Sequence, residues 1–224
     1  EKLRAFFNQS ARPALAVCGD KRHERLVILG DPGSGKSTLL QYLAVEWARG
    51  QAGNALAAAP LVLILELREY ATDWAGAESK SFLQFWHKAR TFHQFNRLEL
   101  DEYLKTQRGV VLLLDGLDEI FDEQERKATL NDLQRFIADY PHVRVVLTSR
   151  VIGYEKSQAR LNEMNFRHFM LQDLEDAQIA DFLQRWHQTT FGANQERERE
   201  RKLREISEAI AKARAIRELA GNPL

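Results

Sequence analysis

The sequence has one cysteine, a net charge of zero and no long apolar run, and each of these absences argues against a class of protein. Cys18 has no second cysteine with which to form an internal disulfide, so we expect a protein of the reducing cytoplasm. Lysine and arginine number 32, as do aspartate and glutamate, so the balance indicates neither nucleic acid nor an anionic membrane as a partner. No apolar segment approaches the length of a membrane-spanning helix, and no signal-peptide pattern opens the chain.

The most informative segment runs from Leu26 to Thr38 and reads LVILGDPGSGKST. Four apolar residues predict a buried strand, and the apolar spacing after the segment predicts a helix. Between them, GDPGSGKS fits the phosphate-binding pattern GxxxxGK[ST] in the structural context that this pattern requires. The predicted nucleotide-binding residues of this loop are Gly30, Asp31, Pro32, Gly33, Ser34, Gly35, Lys36, Ser37 and Thr38.

Each residue type in this loop has a chemical reason. Gly33 and Gly35 allow successive backbone N–H groups to turn toward a phosphate at the N-terminus of the next helix. Lys36 places a cation on the β- and γ-phosphates, and the Ser37 hydroxyl is a ligand for Mg²⁺. Pro32 has no N–H to offer and stiffens the loop.

A second apolar strand, Val110 to Leu114, is followed by Asp115 and then by Asp118 and Glu119. Ligands of parallel α/β sheets bind beyond the carboxyl ends of the strands, so Asp115 is expected at the edge that carries the phosphate loop. There it holds Mg²⁺, directly or through water. Asp118 and Glu119 are placed to orient or deprotonate a water that attacks the γ-phosphate, and the sequence leaves open which of the two dominates.

A third strand, Val143 to Leu147, is followed by Thr148, Ser149 and Arg150. Two hydroxyls and a cation at the carboxyl end of a strand again face the predicted nucleotide edge. We therefore expect Arg150 to contact a phosphate.

The remaining pattern predicts a strand at 61–65, a loop at 70–80, and helices at 81–95, 98–105 and 123–140. Toward the C-terminus it predicts a weaker strand at 166–171 and helices at 176–187 and 194–220.

Four motifs together resemble those of the NACHT family of signalling NTPases, within the STAND class of P-loop ATPases. GDPGSGKST is similar to the family's Walker A loop, and LLLDGLDE (112–119) is similar to its Walker B motif, with a small residue after the metal-binding carboxylate. TSR (148–150) resembles its sensor 1, and ELAGNPL (218–224) resembles its Gly-x-Pro element. The resemblance spans residues 26–224.

The resemblance implies an α/β fold of the ASCE, AAA+-like type, with five parallel strands in the order 5-1-4-3-2 and a small C-terminal helical subdomain. We expect an N-terminal connector and helix at 1–25, a nucleotide-binding core at 26–172, and the helical subdomain at 173–224. The chain opens on Glu1 rather than Met and ends inside the last motif, so we expect it to be part of a longer protein.

The resemblance also implies a role for two residues and a biological activity. Arg150 contacts the γ-phosphate, and Pro223 packs against adenine. The cofactors are ATP or ADP and Mg²⁺, and hydrolysis is slow. ATP drives self-association of the full-length protein after an unknown ligand is sensed, and an unknown effector domain acts in signalling, with bacterial innate immunity against phage as the expected setting.

Three other readings compete with this one. An AAA+-like motor acting on protein or nucleic acid usually has a catalytic glutamate directly after the metal-binding aspartate, where this sequence has Gly116. A small-molecule kinase does not need the three carboxylates that follow the strand Val110 to Leu114. A GTPase is disfavoured because the sequence contains no NKxD base-recognition motif.

Overall fold

The computed structural model describes residues 10–50, 54–74, 81–88, 96–152, 154–190, 196–212 and 221. The strands are β1 (Arg25–Leu29), β2 (Val62–Glu66), β3 (Val111–Asp115), β4 (Arg144–Ser149) and β5 (Arg167–Met170). The described helices before β4 are α1 (Ala14–Gly19), α2 (Lys36–Ala48), α3 (Leu67–Trp74), α4 (Phe82–Lys88), α5 (Arg97–Thr106) and α6 (Glu123–Asp139). Those after β4 are α7 (Glu155–Glu163), α8 (Asp176–Thr190) and α9 (Glu196–Lys212).

The five strands form one parallel sheet in the order β2-β3-β4-β1-β5. This is the predicted order read from the other edge, so the predicted sheet is confirmed. β4 lies between β1 and β3, and its last residues, Thr148 and Ser149, pair with Ile28 and Leu29. The carboxyl ends of β1, β4 and β3 therefore bring the phosphate loop, Arg150 and Asp115 to one edge of the sheet.

Both faces of the sheet are covered by helices. Because successive side chains of a strand point to opposite faces, Val27 and Leu29 enter one core while Leu26 and Ile28 enter the other. The first core contains a cluster of aromatic rings from α3, α4 and α6, namely Tyr70, Phe82, Phe85, Trp86 and Phe136. The second is filled from α1 and α2, by Val17, Cys18, Leu40 and Leu43.

The predicted loop at 70–80 is wrong for its first residues, because α3 follows β2 directly and extends to Trp74. Leu67, Tyr70 and Ala71 share one face of this helix and are buried in the first core. The Tyr70 hydroxyl also donates a 2.6 Å hydrogen bond to the buried Asp132 of α6. Tertiary packing therefore stabilises a helix that the local pattern did not indicate, while residues 75–80 and 89–95 lie outside the described part of the chain.

The described residues divide into two compact units. One holds residues up to Asp31 and from Lys36 to Leu171, and includes the sheet. The other holds Pro32–Gly35 and the described residues from Gln172 onward, where α8 and α9 pack against each other. None of the described helices combines the length and apolar character needed to span a membrane.

Candidate active site

The predicted phosphate loop connects β1 to α2. The loop is buried where it leaves β1, at Gly30, whereas Ser37 and Thr38 in the first turn of α2 are exposed. Gly33 and Gly35 have φ angles of 79° and 83°. Residues with a side chain rarely adopt this left-handed conformation, so glycine is needed at both positions for the loop to turn as it does.

Lys36, the first residue of α2, is bonded to the loop that precedes it. Its ammonium donates to the carbonyl oxygens of Gly30 at 2.9 Å and Asp31 at 2.8 Å. The charge of Lys36 is therefore held at the end of β1, where the pattern predicts the β- and γ-phosphates.

The pKa of Lys36 depends on its burial and on the charged groups around it. Burial lowers this pKa from its ordinary value, and the Asp118 carboxylate opposes the shift. Arg150 lowers the pKa further, while Asp115 raises it. The Lys36 ammonium is therefore influenced by three residues that follow it in the sequence by 79, 82 and 114 positions.

Asp115 ends β3 and is bound to the end of the neighbouring strand. Thr148 of β4 donates its hydroxyl to Asp115 Oδ1 at 2.5 Å and accepts the backbone N–H of Gly116 at 2.8 Å. Thr148 is fully buried. Because Thr148 holds both Asp115 and the next peptide group, the carboxylate has a defined position at the sheet edge.

A single 3₁₀ turn, Leu117–Glu119, follows β3 and brings Glu119 back beside Gly116. The backbone N–H of Glu119 donates to the Gly116 carbonyl at 3.0 Å. Gly116 has φ 77°, and a Cβ built on it meets Glu119 Cδ at 3.1 Å and Cγ at 3.2 Å. Glycine at 116 therefore permits both the turn and the close approach of the Glu119 side chain.

Asp118 makes a different set of contacts from Glu119. Its Oδ1 accepts the backbone N–H of Arg150 at 2.8 Å, and its Oδ2 lies 2.9 Å from Arg150 Nε. The Asp118 side chain is 13% exposed and that of Arg150 is 50% exposed. Both carboxylate oxygens of Asp118 thus hold Arg150, which the sequence did not indicate.

The residues fit a magnesium ion by the chemistry of their donors. Ser37 and Asp115 supply a hydroxyl and a carboxylate, and Mg²⁺ prefers oxygen ligands, usually one or two from the protein with the others from phosphate and water. Within the described residues, no cluster of three or more histidine, cysteine, aspartate or glutamate side chains forms a protein-only metal site. Pro223, the predicted adenine contact, lies outside the described residues.

Residues 24–190 match the family model described as the NACHT domain. This match covers well over half of the chain. The chain belongs to the NACHT family. It is accordingly a nucleotide-binding module with the fold of P-loop NTPases.

Solved structures with low sequence identity share the fold of this NACHT domain. A Walker-type ATPase of Pyrococcus abyssi is 12% identical, with 92% of this chain and 63% of that chain covered and a TM-score of 0.52. Drosophila ORC bound to DNA is 18% identical, with 86% and 48% covered and a TM-score of 0.50. A DNA replication initiation factor is 15% identical, with 86% and 57% covered and a TM-score of 0.50.

This NACHT domain spans less than two thirds of the length of each of these three solved chains. A search of curated proteins found no significant match.

Proposed function

We propose that this NACHT domain is a switch that binds ATP and ADP, hydrolyses ATP slowly with Mg²⁺, and drives ATP-dependent oligomerisation of a larger cytoplasmic sensor protein. The observation that carries this proposal is the ion pair between Asp118 and Arg150, which directly follows β4, the strand between β1 and β3. That pairing fixes a cation at the edge where a γ-phosphate is expected. An innate immune role follows from family membership alone and belongs to the same proposal.

Binding begins with the phosphate loop and Lys36. The Lys36 ammonium exchanges bonds to the carbonyls of Gly30 and Asp31 for bonds to phosphate oxygens, which carry a full negative charge. Ser37 and Asp115 would hold Mg²⁺, which would neutralise charge on the phosphates. Pro223 is assigned to the adenine base.

Hydrolysis needs a group that orients the attacking water and accepts its proton. We assign this role to Glu119, because both carboxylate oxygens of Asp118 are already bonded to Arg150. The water oxygen bonds to the γ-phosphorus, the bond to the ADP oxygen breaks, and the water proton passes to Glu119. Asp118 acts through Arg150 by holding the guanidinium in one direction.

The switch needs a group that distinguishes ATP from ADP, because a ligand shifts a conformational equilibrium only by its differential affinity. The phosphate loop binds the β-phosphate, which both nucleotides have, so it discriminates poorly between ATP and ADP. Arg150, on a different strand, offers charge-assisted hydrogen bonds that only a γ-phosphate accepts. We therefore assign nucleotide sensing to the Arg150–Asp118 pair.

Arg150→Ala is expected to weaken binding of a non-hydrolysable ATP analogue roughly ten- to a hundredfold, because a hydrogen bond to a charged group contributes about 1.5–3 kcal/mol. ADP affinity should stay unchanged, and calorimetry with both nucleotides measures the two effects. Arg160→Ala is the control, since Arg160 is a partly exposed arginine of α7 that donates a hydrogen bond to Gln134. Equal weakening of ADP and the analogue would make Arg150 a structural cation and refute its role as sensor.

The competing motor hypothesis predicts different kinetics. A motor cycles rapidly and is stimulated by its polymer, whereas a switch keeps its nucleotide. Gly116 has a φ of 77°, a conformation that disfavours glutamate directly after Asp115, where a motor usually has it. Fast turnover stimulated by DNA, RNA or an unfolded protein would refute the switch hypothesis in favour of the motor hypothesis.

A further inference from the structure

Thr148 is a buried residue of the segment that resembles sensor 1, and the proposed function gives no role to its side chain. Its hydroxyl has one proton, which it donates to Asp115 Oδ1 at 2.5 Å. Its oxygen also accepts the N–H of Gly116 at 2.8 Å. The side chain is 0% exposed and its bond with Gly116 is buried, so removal of the hydroxyl takes away a hydrogen bond that lies out of contact with solvent.

The bond to Asp115 limits how that carboxylate can turn. With Oδ1 held by the hydroxyl, rotation of the carboxylate about its Cβ–Cγ bond breaks a charge-assisted hydrogen bond. The second bond, from Gly116, fixes the peptide group on which Asp115 is carried. The direction of Oδ2 is therefore set by Thr148 as well as by the end of β3.

Thr148 stands on a strand that is well suited to this task. β4 is hydrogen-bonded on both sides, to β1 and to β3, and Thr148 pairs in register with Ile28. Ligand groups keep a precise direction when the residues that hold them stand on rigid elements. Hydrogen bonds to a metal-binding carboxylate are worth roughly 10- to 100-fold in metal affinity or activity in other proteins.

We propose that Thr148 is a positioning residue that aims Asp115 at Mg²⁺, so that the metal affinity of the nucleotide complex depends on its hydroxyl. This inference rests on the proposed function. It differs from the roles given above to Asp115, Glu119 and Arg150, because Thr148 touches neither nucleotide nor metal and acts through the carboxylate.

The experiment compares Thr148→Val, which keeps the branched shape and loses the hydroxyl, with Thr148→Ser, which keeps the hydroxyl. The measured quantity is the Mg²⁺ concentration that half-saturates binding of a non-hydrolysable ATP analogue, together with the affinity for the analogue in EDTA. Thr129→Val is the matched control, since Thr129 is also buried but bonds to the Glu125 carbonyl within α6. Thr148→Ala serves as a second hydroxyl-free variant if Thr148→Val does not fold.

Thr148→Val is expected to raise the half-saturating Mg²⁺ concentration roughly 10- to 100-fold while leaving the affinity in EDTA unchanged. Thr148→Ser should restore the wild-type value, and Thr129→Val should keep it. An unchanged Mg²⁺ requirement in Thr148→Val, or equal weakening with and without Mg²⁺, would overturn the inference and leave Thr148 a structural hydroxyl.

The wild-type protein separates this inference from the proposed function. If its nucleotide binding does not respond to Mg²⁺ at all, the proposed function fails together with the role of Thr148. If the wild type responds and Thr148→Val responds identically, only the role of Thr148 fails.

Discussion

Glu119→Gln is expected to slow single-turnover ATP hydrolysis by about a hundredfold or more, the usual contribution of a positioned general base. The substitution keeps the size of the side chain over Gly116, so the 3₁₀ turn and the sheet edge are preserved. Affinity for the ATP analogue should stay unchanged, because a group that receives a proton acts in the transition state and not in the ground state. Rapid mixing of enzyme in excess over radiolabelled ATP measures the step directly.

Asp118→Asn tests whether Asp118 and Glu119 have different roles. It removes the negative charge that pairs with Arg150, so we expect a weaker preference for the ATP analogue over ADP, as in Arg150→Ala. Single-turnover hydrolysis should slow less than in Glu119→Gln. Glu102→Gln, on the exposed surface of α5, controls for the loss of one negative charge. The reverse ranking, with Asp118→Asn the slower enzyme, would exchange the roles of the two residues.

Lys36→Ala is expected to reduce affinity for both ATP and ADP by at least about a hundredfold, because it removes two or more charge-assisted hydrogen bonds to phosphate. The Lys36 ammonium donates to two carbonyls of its own loop, and the side chain belongs to neither hydrophobic core, so its removal leaves both cores intact. The thermal unfolding midpoint without nucleotide should therefore change little. Stabilisation by added ADP should disappear, since a ligand stabilises only the state that binds it.

The control for Lys36→Ala is Lys105→Ala, which breaks an exposed ion pair with Asp101 on α5. This variant should bind nucleotide as the wild type does. Calorimetry that finds unchanged ADP affinity in Lys36→Ala would refute the phosphate-loop assignment and, with it, the whole site.

The sheet, and the edge at which the candidate residues meet, were predictable because they depend on local sequence signals. Strands buried on both faces appear as continuous apolar runs, as in Val110 to Leu114, and the phosphate-loop pattern marks which strand comes first. The rule that ligands bind beyond the carboxyl ends of parallel strands then places Asp115 and Arg150 near Lys36. In the structure, Asp115, Asp118 and Arg150 all lie close enough to Lys36 to influence its pKa.

The different contacts of Asp118 and Glu119 were not predictable, since those of Asp118 are with Arg150, 32 positions later in the chain. Nothing in DGLDE indicates that Asp118 turns toward β4 while Glu119 lies over Gly116. The same holds for Thr148, whose two partners belong to another strand. Helix α3 was missed for a related reason, because Tyr70 is held by Asp132 of a helix that follows much later in the chain.

The nucleotide carried by the purified protein tests the central claim most directly. Denaturing the protein and separating the released nucleotides by chromatography identifies both the base and the number of phosphates. The account predicts an adenine nucleotide, chiefly ADP, in the wild type and its loss in Lys36→Ala, because a switch holds its nucleotide through the phosphate loop. A guanine nucleotide in the wild type, or an adenine nucleotide retained equally by Lys36→Ala, would contradict it.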